Sequence, residues 1–308
     1  MDANTNIWEI KNLKDTSVDD ICDTFNTAFS DYIVKISFTR EWFREKWTPA
    51  FDLSLSMGAF KDGQLEGYVL HSTDRQNPPK YIYNCGTGVI PSARGNRLVF
   101  NMYQHEFGVY KSMGIERIGL DVISTNEKAI KSYKSCGFKI LRDLISYKGT
   151  VDLDYLEQQC CFKSSSGDTT VEITQYSTWN RDWEDKLKLF YDQDLPFLSE
   201  MYNIKDDTEK GVLAIWLAHI NSKIVGIIII NKPTNRIRLI AVDKEFRRKR
   251  IASKLIYRAC KELSIKELTM SNVESGNKEF QQFFTEHIKL SHWVTLHEMI
   301  LNLKDVII

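Results

Sequence analysis

Cysteine is sparse and unpatterned in this chain. Cys22, Cys85, Cys136, Cys160, Cys161 and Cys260 form no Cys-x-x-Cys pair and have no matching histidine pair, which argues against a zinc site and, with it, against any bound metal. Long apolar runs are missing as well: the longest, Ile224 to Ile230, is far too short to span a bilayer. The opening MDANTNIWEI has neither the basic start nor the apolar run of a secretory signal. An excess of one charge is also lacking, since Lys plus Arg and Asp plus Glu each total 41, so no global field draws the chain to nucleic acid or anionic lipid. These absences leave the expectation of a cytoplasmic protein with reduced thiols, no metal, no membrane and no nucleic-acid partner.

What is present is enough apolar surface for two cores. At 308 residues, with 43% hydrophobic and 12% aromatic residues, the chain suits two domains of about 150 residues each. The first 150 residues read as early helices followed by alternating strands and helices, the pattern of a mixed α/β sheet. Ser17 opens a helix with Ile21, Phe25 and Phe29 on one face, and Trp42, Phe43 and Trp47 continue a similar face after Thr39. Leu53 to Phe60 and Leu65 to His71 flank Lys61-Asp62-Gly63, a hairpin signal. A third strand, Tyr81 to Val89, precedes a helix from Leu98 to Gly114, a strand Arg117 to Ile123, a helix from Asn126 to Gly137 and a closing strand Phe138 to Tyr147.

Residues 151–170 weaken into the small polar run Ser164 to Asp168 and read as a linker. From about Val171 to the end at 308 the order repeats: helices around Trp183 and Phe197, a hairpin through Asn221-Ser222, strands to Ile230 and Val242, a basic turn, a helix and another strand. Val89 matches Val242, Arg94 matches Arg247 and Asn126 matches Asn277, so the chain reads as a diverged internal duplication.

Two segments carry chemistry. In Val89-Ile90-Pro91-Ser92-Ala93-Arg94-Gly95-Asn96-Arg97-Leu98 a strand ends, a loop turns and a helix begins. Such a helix start offers unpaired amides and the positive end of the macrodipole to a diphosphate, and Gly95 lets the backbone approach it. On these residues alone, Arg94 and Arg97 are equally a solvated charge pair at an ordinary helix start. The second segment, Asn126-Glu127-Lys128-Ala129-Ile130-Lys131-Ser132-Tyr133-Lys134-Ser135-Cys136-Gly137-Phe138, places a capping asparagine two turns before a tyrosine.

Together these segments resemble the GNAT acyltransferase superfamily. The first is similar to its pattern of Val, Pro and Arg/Gln-x-x-Gly-x-Gly/Ala, with Arg97 at the first glycine and Val99 at the last glycine or alanine; the second matches Asn-x-x-Ala-x-x-x-Tyr-x-x-x-Gly-Phe throughout. The resemblance implies two tandem GNAT domains, acetyl-CoA as acyl donor and a primary amine as acceptor. It assigns acetyl-CoA binding to Val89, Ile90, Arg94, Gly95, Asn96, Arg97, Leu98, Asn126 and Ala129. Tyr133 then protonates the departing thiolate, and Asp121, resembling a strand carboxylate of some relatives, takes a proton from the amine. Cys136 reads as a packing residue.

In the second half, Arg250 stands where the cradle glycine is expected, and Phe280 and Phe284 stand where alanine and tyrosine belong. No proton donor remains there, so this domain is expected to be catalytically impaired. The rival reading of the whole chain is a non-catalytic acyl-CoA binder or regulatory module; a third makes Arg247 to Arg250 a polyanion or protein contact.

Overall fold

Ser17 starts the first helix, its side chain accepting from the Asp19 amide. The computed structural model describes residues 7–32, 36–161, 170–191 and 201–306. Contacts divide the chain into two units, residues 1–142 with 297–308 and residues 143–296.

In the first unit β1 (Glu9–Asn12) leads to α1 (Val18–Ala28), and Thr39 caps α2 (Arg40–Trp42), which runs on as a wider helical turn to Trp47. Phe25 stacks on Phe29 with ring centroids 4.5 Å apart and meets Trp47 edge-on at 5.0 Å, so the expected aromatic faces do pack together. β2 (Met57–Lys61) and β3 (Gln64–Thr73) form the hairpin, with Asp62 at φ 51° and Gly63 at φ 79° in the turn. β4 (Tyr81–Val89) pairs antiparallel with β3 and parallel with β5 (Arg117–Ile123), with α3 (Leu98–Ser112) as the crossover; α4 (Glu127–Ser135) follows. Leu13, Phe25, Tyr68 and Leu70 pack on one face of the sheet beneath α1, while Val69, Ile82, Leu120 and Val122 pack on the other against Met102 and Phe107 of α3.

The second unit begins within β6 (Lys139–Thr150) and contains α5 (Leu153–Cys161), β7 (Glu172–Tyr176), α6 (Glu184–Lys188), α7 (Met201–Glu209), β8 (Leu213–Ile220), β9 (Lys223–Asn231), β10 (Arg236–Val242), α8 (Ile251–Glu262), β11 (Glu267–Glu274), α9 (Lys278–Gln282) and the start of β12 (Ser291–Asn302). Its strands run in the order β7-β8-β9-β10-β11-β6, and those of the first unit run β1-β2-β3-β4-β5 with β12 beside β5. Within the stretch read as a linker α5 is helical, because Leu156 is buried in the core of the second unit. The rest of that stretch through Ser164 to Asp168, and the helix expected around Phe197, lie outside the described residues.

The end of the chain folds with the first unit. Met299, Leu301 and Leu303 are buried in the core beneath α3, the Leu303 amide donates to the Glu116 carbonyl at 2.9 Å, and Lys111 Nζ donates to the Val306 carbonyl at 2.6 Å.

Candidate functional site

The site forms where β4 and β5 part. Their parallel pairing runs from Tyr81 opposite Arg117 to Asn84 opposite Leu120 and then stops. A register shift between Leu70 and His71 leaves Cys85 unmatched on β4, and a bulge of this kind increases local twist and turns the strand aside. Gly88 suits this bend, because a Cβ there would lie 2.5 Å from the Tyr68 hydroxyl.

At the outer end of β4 the chain turns through Pro91–Ala93 into α3. Among the described residues the amides of 95–100 donate to no acceptor; the first engaged is Asn101, on the Arg97 carbonyl at 2.9 Å. That is a row of free donors at the positive end of a helix, the arrangement that suits a diphosphate. Gly95 sits at φ 84°, where a Cβ would meet open space. Arg97, at the family's glycine position, adopts the left-handed conformation glycine would supply, φ 55° and ψ 26°, while its guanidinium lies 4.2 Å from the Phe100 ring. Val99 is nine-tenths buried with Leu98 in the core, so its departure from a small residue fills the space beneath the helix. The Leu98 side chain is thus turned into the core, leaving only its amide at the helix start.

Arg94 takes a different place from that of a free cation. It donates through Nη1 and Nη2 to the Asp31 carboxylate at 2.6 and 2.8 Å, through Nη2 to the Ala28 carbonyl at 2.9 Å and through Nε to the Val89 carbonyl at 3.1 Å. The side chain ties the end of α1 to the end of β4. Arg247 repeats this in the second unit, with Nε on the Val242 carbonyl at 3.3 Å and Nη2 on the Phe190 carbonyl at 2.9 Å. Ile90 donates to the Glu66 carbonyl at 2.9 Å, and Asn96 Nδ2 to the Ala93 carbonyl at 3.0 Å, fixing the loop from within.

Asn126 caps α4, its Oδ1 accepting from the Ala129 amide at 3.2 Å, and Ala129 packs against the α3 core. Tyr133 lies on the same helix with its ring centroid 5.8 Å from that of Phe138. Burial pushes its hydroxyl up to about 12, against the opposing pull of hydrogen bonds with Thr87 and Asn84. Those two residues hold each other, Asn84 Nδ2 donating to Thr87 Oγ1 at 2.8 Å, and Asn84 also donates to the Tyr103 hydroxyl at 3.1 Å. Behind Tyr103, His71 Nε2 lies 3.4 Å away and Nδ1 contacts the Leu55 carbonyl at 2.8 Å; burial drives this imidazole down to about 4, so it is neutral.

Asp121 occupies the opposite face of the sheet. Leu120 and Val122 enter the core beneath α3, so alternation turns Asp121 away from them. Burial raises its carboxyl from 3.8 to about 7, with Tyr83 hydrogen-bonded to it and the Arg142–Glu298 ion pair acting on it in opposing senses. Its Oδ1 is buried and has no partner. Tyr133 and Asp121 thus lie on the two faces of the sheet at one fork. Sequence reading missed Asn84, Thr87, Tyr83 and Glu298. A hydrophilic Asn84 amid an apolar strand was the one available signal, while Glu298 is far away along the chain. In the second unit Phe284, where the tyrosine belongs, is fully buried with its ring 5.1 Å from Phe280 and 5.2 Å from Phe283.

Cys136 is buried, with its thiol pushed up to about 12 by that burial, and its Sγ contacts the Ser132 carbonyl at 3.3 Å. A thiol held so far from its thiolate is a packing group. No described helix is long and apolar enough to cross a membrane.

The acetyltransferase (GNAT) family matches residues 18–138, and an acetyltransferase (GNAT) domain matches residues 212–287. No curated protein matches the chain in sequence. Among solved structures, a tandem GNAT protein from the clavulanic acid biosynthesis pathway is similar in fold, with TM-score 0.66 and 11% identity over 96% of this chain and 98% of that one. A GCN5-related N-acetyltransferase from Sphaerobacter thermophilus gives TM-score 0.66 at 13% identity over 98% and 97%. A putative acetyltransferase from Pyrococcus horikoshii gives 0.62 at 13% over 98% and 91%. Two family matches, one on each half, and a shared fold across nearly the whole length identify the chain as a tandem member of the GNAT acetyltransferase superfamily.

Proposed function

We propose that the first unit transfers the acetyl group of acetyl-CoA to a primary amine by direct attack. The free amides of residues 95–98 grip the diphosphate, and the thioester arm enters the fork beyond Asn84 and Leu120, where neither strand satisfies the other. Asp121, ionising near neutrality, takes a proton from the ammonium form of the acceptor. Attack on the thioester carbonyl forms the C–N bond, the C–S bond breaks, and Tyr133 donates its phenolic proton to the CoA thiolate, whose conjugate acid has a pKa of about 8.5. With its own value near 12 the phenol is fully protonated beforehand. Carboxylate and tyrosine make the fork attractive to a compact cation.

The observation that carries this reading is the seat of Tyr133 against Asn84 and Thr87, at the point where β4 and β5 separate. Thiol release from acetyl-CoA across a panel of primary amines tests it. A Tyr133→Phe variant should bind acetyl-CoA normally and lose roughly 10²- to 10⁴-fold in kcat. Full turnover by that variant would refute the acid role. Tight CoA binding without thiol release from any amine would favour a non-catalytic acyl-CoA binder.

A further inference from the structure

The second unit has its own fork, with side chains of opposite character. β10 and β11 pair in parallel only through Arg236 opposite Thr269 and Ile237 opposite Met270. As in the first unit, a register shift marks the strand, here between Ile237 and Leu239, leaving Arg238 unmatched. The first residues beyond the last matched pair are therefore Cys85 and Asp121 in the first unit and Arg238 and Ser271 in the second. Two residues back on the first strand, Tyr83 is replaced by Arg236. A thiol, a carboxyl and a phenol give way to two guanidinium groups and a hydroxyl.

These groups share a face. Ile237 and Met270 enter the core against α8, so Arg236, Thr269 and Ser271 alternate to the other side, where Leu239 and Ala241 pack with Leu187 of α6 and Ile204 of α7. Arg238 on that side meets Asp207 of α7 at 2.9 Å. Arg236 is half-buried and makes no ion pair or hydrogen bond among the described residues. Burial and the neighbouring charge of Arg238 both depress its pKa. Ser271 Oγ is buried with no partner, and so is the Tyr191 hydroxyl, which packs in the same cluster. Unsatisfied buried polar groups are costly, and most of those in native proteins have partners. Among the described residues Asp207 pairs with Arg238, and no carboxylate pairs with Arg236. An anion on this face would satisfy the second guanidinium and the orphaned hydroxyl together.

We propose that the second unit binds an oxyanion, a carboxylate or a phosphate group of a small molecule, at the fork between β10 and β11, held by Arg236 and Ser271 with Arg238 beside them. The duplicated fold has thus kept the fork and inverted its charge: one copy suits a cation and the other an anion. This assignment does not depend on acetyl transfer by the first unit.

Calorimetric titration of the full chain with inorganic phosphate and, separately, with glutarate tests it, in a buffer free of both. Arg236→Gln should weaken the responding anion roughly tenfold or more, because a charge-assisted contact is lost. Ser271→Ala, which removes only a hydroxyl and leaves the fold intact, should weaken it about fivefold. Arg236→Lys should keep part of the affinity. Response to phosphate alone assigns a phosphate ligand, response to glutarate alone assigns a carboxylate, and both responses assign a site open to either. Binding that is unchanged in Ser271→Ala and Arg236→Gln overturns the proposal, since phosphate held only by the first unit's cradle would behave that way. Absence of any Arg236-dependent binding of either anion at millimolar concentration overturns it equally.

Discussion

Arg142 donates its guanidinium Nε to the carboxylate of Glu298, closing an ion pair whose side chains are 15% and 7% exposed and whose partners stand 156 positions apart in the chain. Breaking a buried pair by removing one partner costs about 3–5 kcal/mol. The same terminal segment buries Met299, Leu301 and Leu303, and each such side chain cut to alanine costs about 2–5 kcal/mol. Deleting residues 297–308 removes all of these contacts at once, a loss comparable to the whole stability of an ordinary domain, about 5–15 kcal/mol. The truncated chain should therefore show its first unit unfolded or rapidly cleaved in limited proteolysis at native pH. A truncated chain as resistant as the full one would mean the terminal strand adds nothing. Tests of coenzyme A binding need residues 297–308 present for the same reason.

Under the proposed mechanism Asp121 sets an acid limb in the rate. As the base it works only when ionised, so kcat/KM should rise with pH through about 7, and Asp121→Asn should lower the rate and flatten that limb. Glu298 raises the Asp121 value and Arg142 lowers it, so Glu298→Gln should move the limb to lower pH. Stability moves the other way. A carboxyl whose folded value lies above its unfolded one holds its proton more tightly when folded, so its contribution is present below about 3.8 and is lost as pH rises through about 7. Urea midpoints for Asp121→Asn against the parent should diverge in favour of the variant across that window. Parallel midpoint curves would rule out the raised value.

At Arg97 the left-handed backbone costs a non-glycine residue about 1–2 kcal/mol. Glycine relieves this but loses the contact with Phe100, worth about 0.5–1 kcal/mol at an exposed site, and adds chain entropy. Arg97→Gly should thus lie within about 1 kcal/mol of the parent, while the β-branched Arg97→Val should lose about 2 kcal/mol or more. Denaturant midpoints at constant slope give the comparison. With the diphosphate held by amides, as proposed, Arg97→Gly should also keep most of its affinity for coenzyme A.

Local signals made much of the fold legible. Asp62-Gly63 gave the hairpin because only certain residues tolerate its φ angles, and the capping residues Ser17, Thr39 and Asn126 fell where helices begin. The helix start after Gly95 and the place of Tyr133 on α4 were readable for a similar reason: each lies within a short contiguous segment. The pairing of Arg94 was hidden because its partner Asp31 lies 63 positions away, beyond the reach of spacing arguments. The helix α5 was missed because its apolar pattern is weak: only Leu156 is fully buried in the core, with Leu153 and Tyr155 packed partly buried against it. Glu298 was invisible because nothing in the sequence says that the last strand folds with the first unit.

Phe284 stands in the second unit at the place that Tyr133 holds in the first. It is 0% exposed, ringed by Phe280 and Phe283. Restoring the family's tyrosine by Phe284→Tyr would place a hydroxyl among aromatic edges. The nearby polar side chain of Gln281 already faces the Tyr147 hydroxyl at 3.4 Å and the carbonyls of Glu274 and Ser275 at 3.3 and 2.7 Å. A buried hydroxyl without a partner costs about 1–3 kcal/mol. The variant should melt earlier by that amount and gain no thiol release, because the fork beside it carries Arg238 and Ser271 in place of Cys85 and Asp121. In the first unit the matching tyrosine is satisfied by Asn84 and Thr87, and the residues at the corresponding places of β10 are Ile237 and Ile240. A stable Phe284→Tyr variant would mean that the core there admits a hydroxyl after all. The loss of the acid would then have come before the loss of its surroundings.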